Sequence, residues 1–159
     1  MALDTTIGGE SADSYGTLAA YQAYAAKMGW TLSGTDAGDE VNLRRAAQYL
    51  DRHYNFIGLK QYQFQARSWP RLVRRLVDDW PIDPDTIPGD VIDAQFEVAY
   101  LLQGGLDPFA TITESRKRAT VGPITVETVP TGRPRVTAVE GLLRSYLRAG
   151  VGQCEMVRG

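Results

Sequence analysis

Apolar residues recur along this chain with a helical period in four places and with an alternating period in one. Leu18, Tyr21, Ala25 and Met28 lie 3, 4 and 3 residues apart and so share one helical face. Ser14 offers a capping hydroxyl ahead of them and Gly29 a stop, which predicts a helix over about 15–28. Leu43, Ala47, Leu50 and Tyr54 define a second, over about 39–54, with Arg44, Arg45, Gln48, Asp51 and Arg52 turned to water. A third helix starts at Pro88, whose missing N–H costs nothing in a first turn, and reaches about 103. It is apolar on two sides, through Val91, Ala94, Val98 and Leu101 and through Ile92, Phe96, Ala99 and Leu102. Only Asp90, Asp93, Glu97 and Tyr100 form a polar stripe. A helix apolar over most of its circumference belongs among neighbours, so this one is placed at the centre.

The remaining segments are shorter. Residues 55–70 are irregular and aromatic-rich around Gly58, and Leu72, Val73, Leu76 and Val77 predict a short helical turn. Pro81, Pro84 and Pro88 among Asp78, Asp79, Asp83 and Asp85 read as a rigid, exposed connection. From about 119 to 129 Thr, Val and Ile alternate around Gly122-Pro123, the pattern of a β-like arm or hairpin. Val139, Leu142, Leu143 and Tyr146 line a last helix over about 137–148. The expected fold is mainly α: a small helical bundle around the helix at about 88–103, with that short β arm. One domain fills 1–159: an extended arm (1–13), a helical core (14–104), an extended or β arm (105–135), then a short helix and tail (136–159).

Composition narrows the function more than the fold. Hydrophobic residues make up 43% and charged residues 23%, which excludes a chain too polar to bury a core. No apolar run approaches the ~20 residues that cross a bilayer, and the first ten residues lack a signal-peptide pattern, so no membrane partner and no export are expected. The single cysteine, Cys154, leaves no intrachain disulfide to form and suits a reducing compartment. Net charge is −2 but unevenly spread: residues 1–42 hold six acids against Lys27, and residues 113–159 hold eight bases against four acids. Opposed charge of this kind can steer copies of a chain together.

Catalytic constellations fail on residue supply. One histidine (His53) and one cysteine cannot build a His/Cys zinc cage, no Gly-x-Ser-x-Gly turn presents a nucleophile, and Gly8-Gly9 and Gly104-Gly105 lack the Lys-Ser/Thr of a phosphate loop. Asp90, Asp93 and Glu97 have spacing that could hold a hard cation, but no second acidic helix complements them. No enzyme activity, cofactor or metal is therefore expected. Arg67, Arg71, Arg74 and Arg75 surround Trp69-Pro70, with Tyr62 and Phe64 nearby. Arginine among aromatics serves single-strand binding and protein interfaces alike, and the acids from Asp78 onward would damp the field. Arg116, Lys117 and Arg118 form a second basic cluster.

The order of several short motifs resembles a family of tailed-phage head-tail adaptor (connector) proteins, also labelled DnaT-like single-strand DNA-binding proteins. They are Ser14-Tyr15, Ala46-Ala47-Gln48-Tyr49-Leu50-Asp51 with Gly58, Trp69-Pro70-Arg71, Ile87-Pro88, Asp93-Ala94-Gln95 with Glu97 and Ala99, and Val121-Gly122-Pro123-Ile124-Thr125-Val126. The likeness covers roughly 14–129, and departs where Leu72-Val73-Arg74-Arg75-Leu76-Val77 replaces a Gly/Asp turn. It implies a structural subunit of the virion neck, made in the host cytoplasm. Its partners would be copies of itself in a ring, usually of twelve, the portal, and the next neck, stopper or tail protein. Double-stranded DNA would pass through the channel without sequence-specific contact. The alternative is a single-strand DNA-binding replication accessory. Interface candidates are Arg67, Trp69, Arg71, Arg74, Arg75, Arg116, Lys117 and Arg118. In the C-terminal segment, read as portal-facing, they are Arg135, Leu142, Leu143, Tyr146 and Arg148.

Overall fold

A computed structural model of the chain describes residues 2–32, 34–74, 77, 80–105, 117–121, 124–128 and 137–148. The protein is mainly α with a short β arm. Its elements run α1 (Leu18–Met28), α2 (Asp36–His53), β1 (Leu59–Lys60), β2 (Arg71–Leu72), α3 (Gly89–Gln103), β3 (Lys117–Val121), β4 (Ile124–Thr128) and α4 (Thr137–Leu143). A single 3-10 turn, Arg144–Tyr146, follows α4. The expected hairpin is present: β3 and β4 are antiparallel, with Lys117 opposite Thr128 and Val121 opposite Ile124.

The bundle is organised by α3. It packs on α1, α2 and α4, and Val91, Ala94, Phe96, Val98, Ala99 and Leu102 are buried along it. Against these lie Tyr21 and Ala25 of α1, Leu43, Ala46, Ala47 and Leu50 of α2, and Val139 and Leu143 of α4. Aromatic edges seal one end: Trp30 stacks on Tyr100 at 4.2 Å, and Tyr24 meets both Trp30 and Phe96 at 5.5 Å. Close approach of the chain to α3 needs a glycine at 16, because a Cβ there would stand 2.6 Å from the Phe96 ring.

Four elements differ from the periodic reading, one being the last helix, which ends at Leu143 and not near 148. The cap of α1 is Thr17, whose side chain accepts from Ala20 N, and not Ser14. Helix α2 begins three residues early, capped by Thr35 Oγ1 accepting from Gly38 N. The turn expected over 72–77 is replaced in part by a ladder, in which Leu59 pairs with Leu72 and Lys60 with Arg71. Partners 11 to 13 residues away outcompete the local helical pattern there.

The ladder depends on Gly58. Its φ is +75°, and a Cβ would lie 2.3 Å from the Leu72 backbone oxygen, which cannot swing aside as a side chain could. Gly58→Ala is expected to cost about 2–3 kcal/mol, combining left-handed strain with a displaced strand. Urea unfolding measures it, and a loss below ~0.5 kcal/mol would mean that the ladder gives way freely.

Asp39, in the first turn of α2, is buried, and its Oδ1 has no hydrogen-bond partner. Burial, and next the Asp36 charge, raise its pKa. A carboxyl raised on folding is penalised when ionised, so stability falls as pH rises from the unfolded pKa through the folded one. Asp39→Asn, which cannot ionise, is expected to be the more stable form at neutral pH. The difference should vanish in acid, where Asp39 is protonated in both states. Thermal melts between pH 3 and 8 check this, with a pH-independent difference as the contrary result.

Candidate functional site

Of the arginines and tryptophan singled out in the sequence, Arg67, Trp69 and Arg71 come together, but they point inward. Trp69 is 1% exposed, wedged edge-on against Phe56 at 5.7 Å and Tyr146 at 5.9 Å, and it precedes a cis peptide bond to Pro70. Arg71 is also buried and spends its guanidinium on backbone carbonyls. Nε donates to Ile57 O (2.7 Å), Nη1 to Ser68 O (3.1 Å) and Nη2 to Gly58 O (2.8 Å), with a longer contact to Phe56 O (3.4 Å). Burial, and next the Arg148 charge, lower its pKa. Arg67 donates from Nε to Ala12 O and pairs through Nη1 with Asp51 Oδ2 at 3.2 Å. As an outward stacking or docking surface the Arg67–Trp69–Arg71 group is corrected: it is an internal clamp. Guanidinium forks suit this task because several donors leave one plane at fixed angles.

The motifs scattered along the sequence meet around this clamp. Tyr15 donates its hydroxyl to Asp51 Oδ1, and Ser68 N donates to both Tyr15 Oη (3.1 Å) and Asp51 Oδ1 (3.2 Å). The Tyr15 phenol is raised well above its usual pKa, first by burial and then by the Asp51 charge. One layer deeper, Gln95 is fully buried and makes four bonds. Its Oε1 accepts from Tyr15 N (3.1 Å) and Gly16 N (3.0 Å), and its Nε2 donates to Ser14 Oγ (2.7 Å) and Leu43 O (2.8 Å). Ser14 therefore serves α3 and not α1. Asp93 and Glu97 flank Gln95 on α3. Tyr24 donates to Glu97 Oε1, and the Tyr24 phenol is pushed up to about 12, first by burial and then by the Glu97 charge. Asp93 is raised by burial, then by repulsion from Asp90.

The C-terminal candidates also fold inward. Leu143 and Tyr146 are buried, and Leu142 packs against the core at its edge. Tyr146 donates its hydroxyl to Asp90 Oδ2 at 2.9 Å. Leu147 bridges to Phe56, Ile57 N donates to Tyr146 O, and Arg148 N donates to Asn55 O. Residues 146–148 thus lie as a short added strand beside 55–57. Of the described C-terminal contacts, Leu143 and Tyr146 are core and Arg148 is exposed. Arg74 is also exposed. Lys117 and Arg118 sit on β3, and Arg75, Arg116 and Arg135 lie outside the described residues.

What faces outward is a group of which the sequence reading named only Tyr62 and Phe64, as aromatics beside the arginines. Trp80 is 76% exposed, Phe64 68% and Leu59 67%, with Leu72 and Tyr62 about half exposed. Leu59 and Leu72 are direct cross-strand partners. Tyr62 donates to Asp85 Oδ1 at 2.8 Å, which ties the proline-rich connection to the loop after β1. The sequence signal for this group was three large residues, Leu59, Phe64 and Trp80, without partners at a helical or strand period. Among the described residues no three His, Cys, Asp or Glu cluster as metal ligands, and no helix is long and apolar enough to cross a membrane.

A mainly helical domain with an internal arginine–tryptophan clamp and exposed apolar and aromatic side chains on β1, β2 and the segments that follow them is the class that these features define. The chain belongs to the family described as "Putative DnaT-like ssDNA binding protein", whose profile matches residues 1–159. No curated protein and no solved structure matches it.

Proposed function

We propose that this protein is a non-catalytic assembly subunit, a head-tail adaptor of a tailed bacteriophage. It would act in the virion neck as a ring of copies, bound to the portal above and to the next neck or tail protein below, with double-stranded DNA passing through. The observation that carries this reading is the inward-facing clamp. Trp69 is buried and Arg71 is committed to backbone carbonyls, so the arginine–tryptophan group that would have stacked bases is spent on the fold. Among the side chains left outside, Leu59, Leu72, Phe64 and Trp80 have the apolar and aromatic make-up of a protein contact.

A second reading, a single-strand DNA-binding accessory of replication, has the family's description behind it. Its specific structural support is the exposure of Tyr62, Phe64 and Trp80, since aromatics at a surface can stack bases. Electron microscopy of particles made without a functional copy separates the two. Filled heads without tails are the expected result for an adaptor. Normal particles accompanied by a replication defect would overturn it in favour of the second reading, as would salt-sensitive binding of oligonucleotides by the isolated protein that is lost on changing Phe64 and Trp80.

A further inference from the structure

Charge along this chain comes in blocks. Residues 43–75 hold eight arginines and lysines against Asp51 alone, and residues 76–97 hold seven carboxylates and no base. The fold leaves part of each block unneutralised at a defined place. Against the basic block, Arg148 of the C-terminal segment brings a second guanidinium to carbonyls that Arg71 already uses: its Nε donates to Phe56 O (3.1 Å) and its Nη2 to Gly58 O (3.0 Å). No described carboxylate forms an ion pair with either arginine. One residue beyond Gly58 stands Leu59, and one beyond Arg71 stands its exposed partner Leu72. Two positive charges and an exposed aliphatic pair therefore adjoin.

The acidic block presents the converse. Trp80, the most exposed of the large apolar side chains, opens a loop that carries Asp83 and Asp85, both exposed and neither engaged in an ion pair with a described base. Asp83 accepts from Asp85 N, which stiffens the turn, and Asp85 is anchored to Tyr62. The loop does not cover its own chain's ladder, because Trp80 and Leu59 both stay open to water.

We infer that copies of this chain join head to tail by a plug and a socket. The Trp80–Asp85 loop of one copy seats its indole on the Leu59–Leu72 ladder of the next and its carboxylates on the Arg148 guanidinium. The occupant is a second copy because apolar and charged features match on the two surfaces: aromatic plus anionic against aliphatic plus cationic. Arg148 keeps N–H donors free for a carboxylate. A contact between two different patches of the same chain is heterologous, and such contacts build rings when the rotation between copies closes. The inference rests on the assembly reading and assigns its copy-to-copy contact.

Sedimentation of the full chain at low and high salt, with three variants, tests it. Trp80→Ser removes the plug; Arg148→Glu reverses the socket; Leu59→Ser removes the socket's apolar half without touching any backbone contact of Arg148, in case Arg148→Glu loosens residues 146–148. Circular dichroism confirms that each variant is folded. The expected result is salt-sensitive oligomers of the unaltered chain and monomers of every variant. Equal mixtures of Trp80→Ser with a socket variant should yield dimers and nothing larger, because only one intact plug and one intact socket can meet. Oligomers that all three variants leave unchanged would overturn the inference while leaving the assembly reading standing. An unaltered chain that stays monomeric at its highest soluble concentration would also overturn it, and the particle experiment would then decide the assembly reading by itself. Loss of oligonucleotide binding in Arg148→Glu would assign the socket to phosphate and overturn it likewise.

Discussion

Gln95→Leu is expected to destabilise the protein by on the order of 5 kcal/mol, enough to unfold a domain of this size under ordinary conditions. Leucine is only one heavy atom smaller, so little of the loss is one of volume. It is one of bookkeeping among buried polar groups. Gln95 satisfies Tyr15 N and Gly16 N through one oxygen, and Leu43 O and Ser14 Oγ through one nitrogen. Leucine strips the two amides of their partner in a buried site, each at about 1–3 kcal/mol, and takes one bond each from Leu43 O and from Ser14 Oγ, which keeps its bond to Gly16 O. Gln95→Glu makes the sharper test. Its carboxylate can still accept from the two amides but cannot donate to Leu43 O. A proton restores the donor, so the folded-state pKa of Glu at this position should rise. Stability of the variant should then be greatest below the pKa of an unfolded glutamate and fall as pH rises through the folded value. Urea unfolding at several pH values measures both variants. A Gln95→Leu loss under ~1 kcal/mol would show that the segment 14–16 is not held by α3.

The same residue marks where the sequence stops being legible. The helices, their apolar faces and the β3–β4 hairpin follow from spacing that a single strand of text displays, because each face repeats locally. Gln95 lies on α3 among residues whose period is plain, and periodicity offers no way to tell a polar residue turned inward from one turned out. Its partners are 52 to 81 residues away. Ser14 fails as a cap for the same reason: its hydroxyl is claimed by Gln95, and Thr17 takes over the local role. Arg67 and Arg71 mislead in the opposite direction. Arginine is so seldom buried that a cluster of four reads as surface. Only the fold shows that the irregular stretch 55–70 has carbonyls to satisfy and little more than the two-residue β1 to satisfy them. The exposed ladder of Leu59 and Leu72 was hidden because Leu72, Val73, Leu76 and Val77 resemble a helical turn, and the competing strand partner carries no local mark.

Arg71→Ala is expected to cost about 4 kcal/mol, within the range for removing a buried charged group from a complete set of partners. Ile57 O and Ser68 O lose the bonds that Arg71 donates to them. Arg71→Lys keeps the charge but concentrates it at one ammonium, which cannot reach carbonyls spread along a guanidinium plane, so it should recover less than half of the loss. Arg148 makes the interpretation stricter. It shares Phe56 O and Gly58 O with Arg71, yet it also repels Arg71, whose pKa is lowered first by burial and then by the Arg148 charge. In the unaltered protein Arg148→Ala removes two bonds but relieves that repulsion and leaves both carbonyls bonded to Arg71. In an Arg71→Ala background it strips them entirely and relieves nothing. The second loss should therefore exceed the first by about 1 kcal/mol, a coupling that a double-mutant cycle resolves. Additive losses would mean that the two guanidiniums act independently, and Arg148 would then be held at the ladder by its backbone pairing with Asn55 alone.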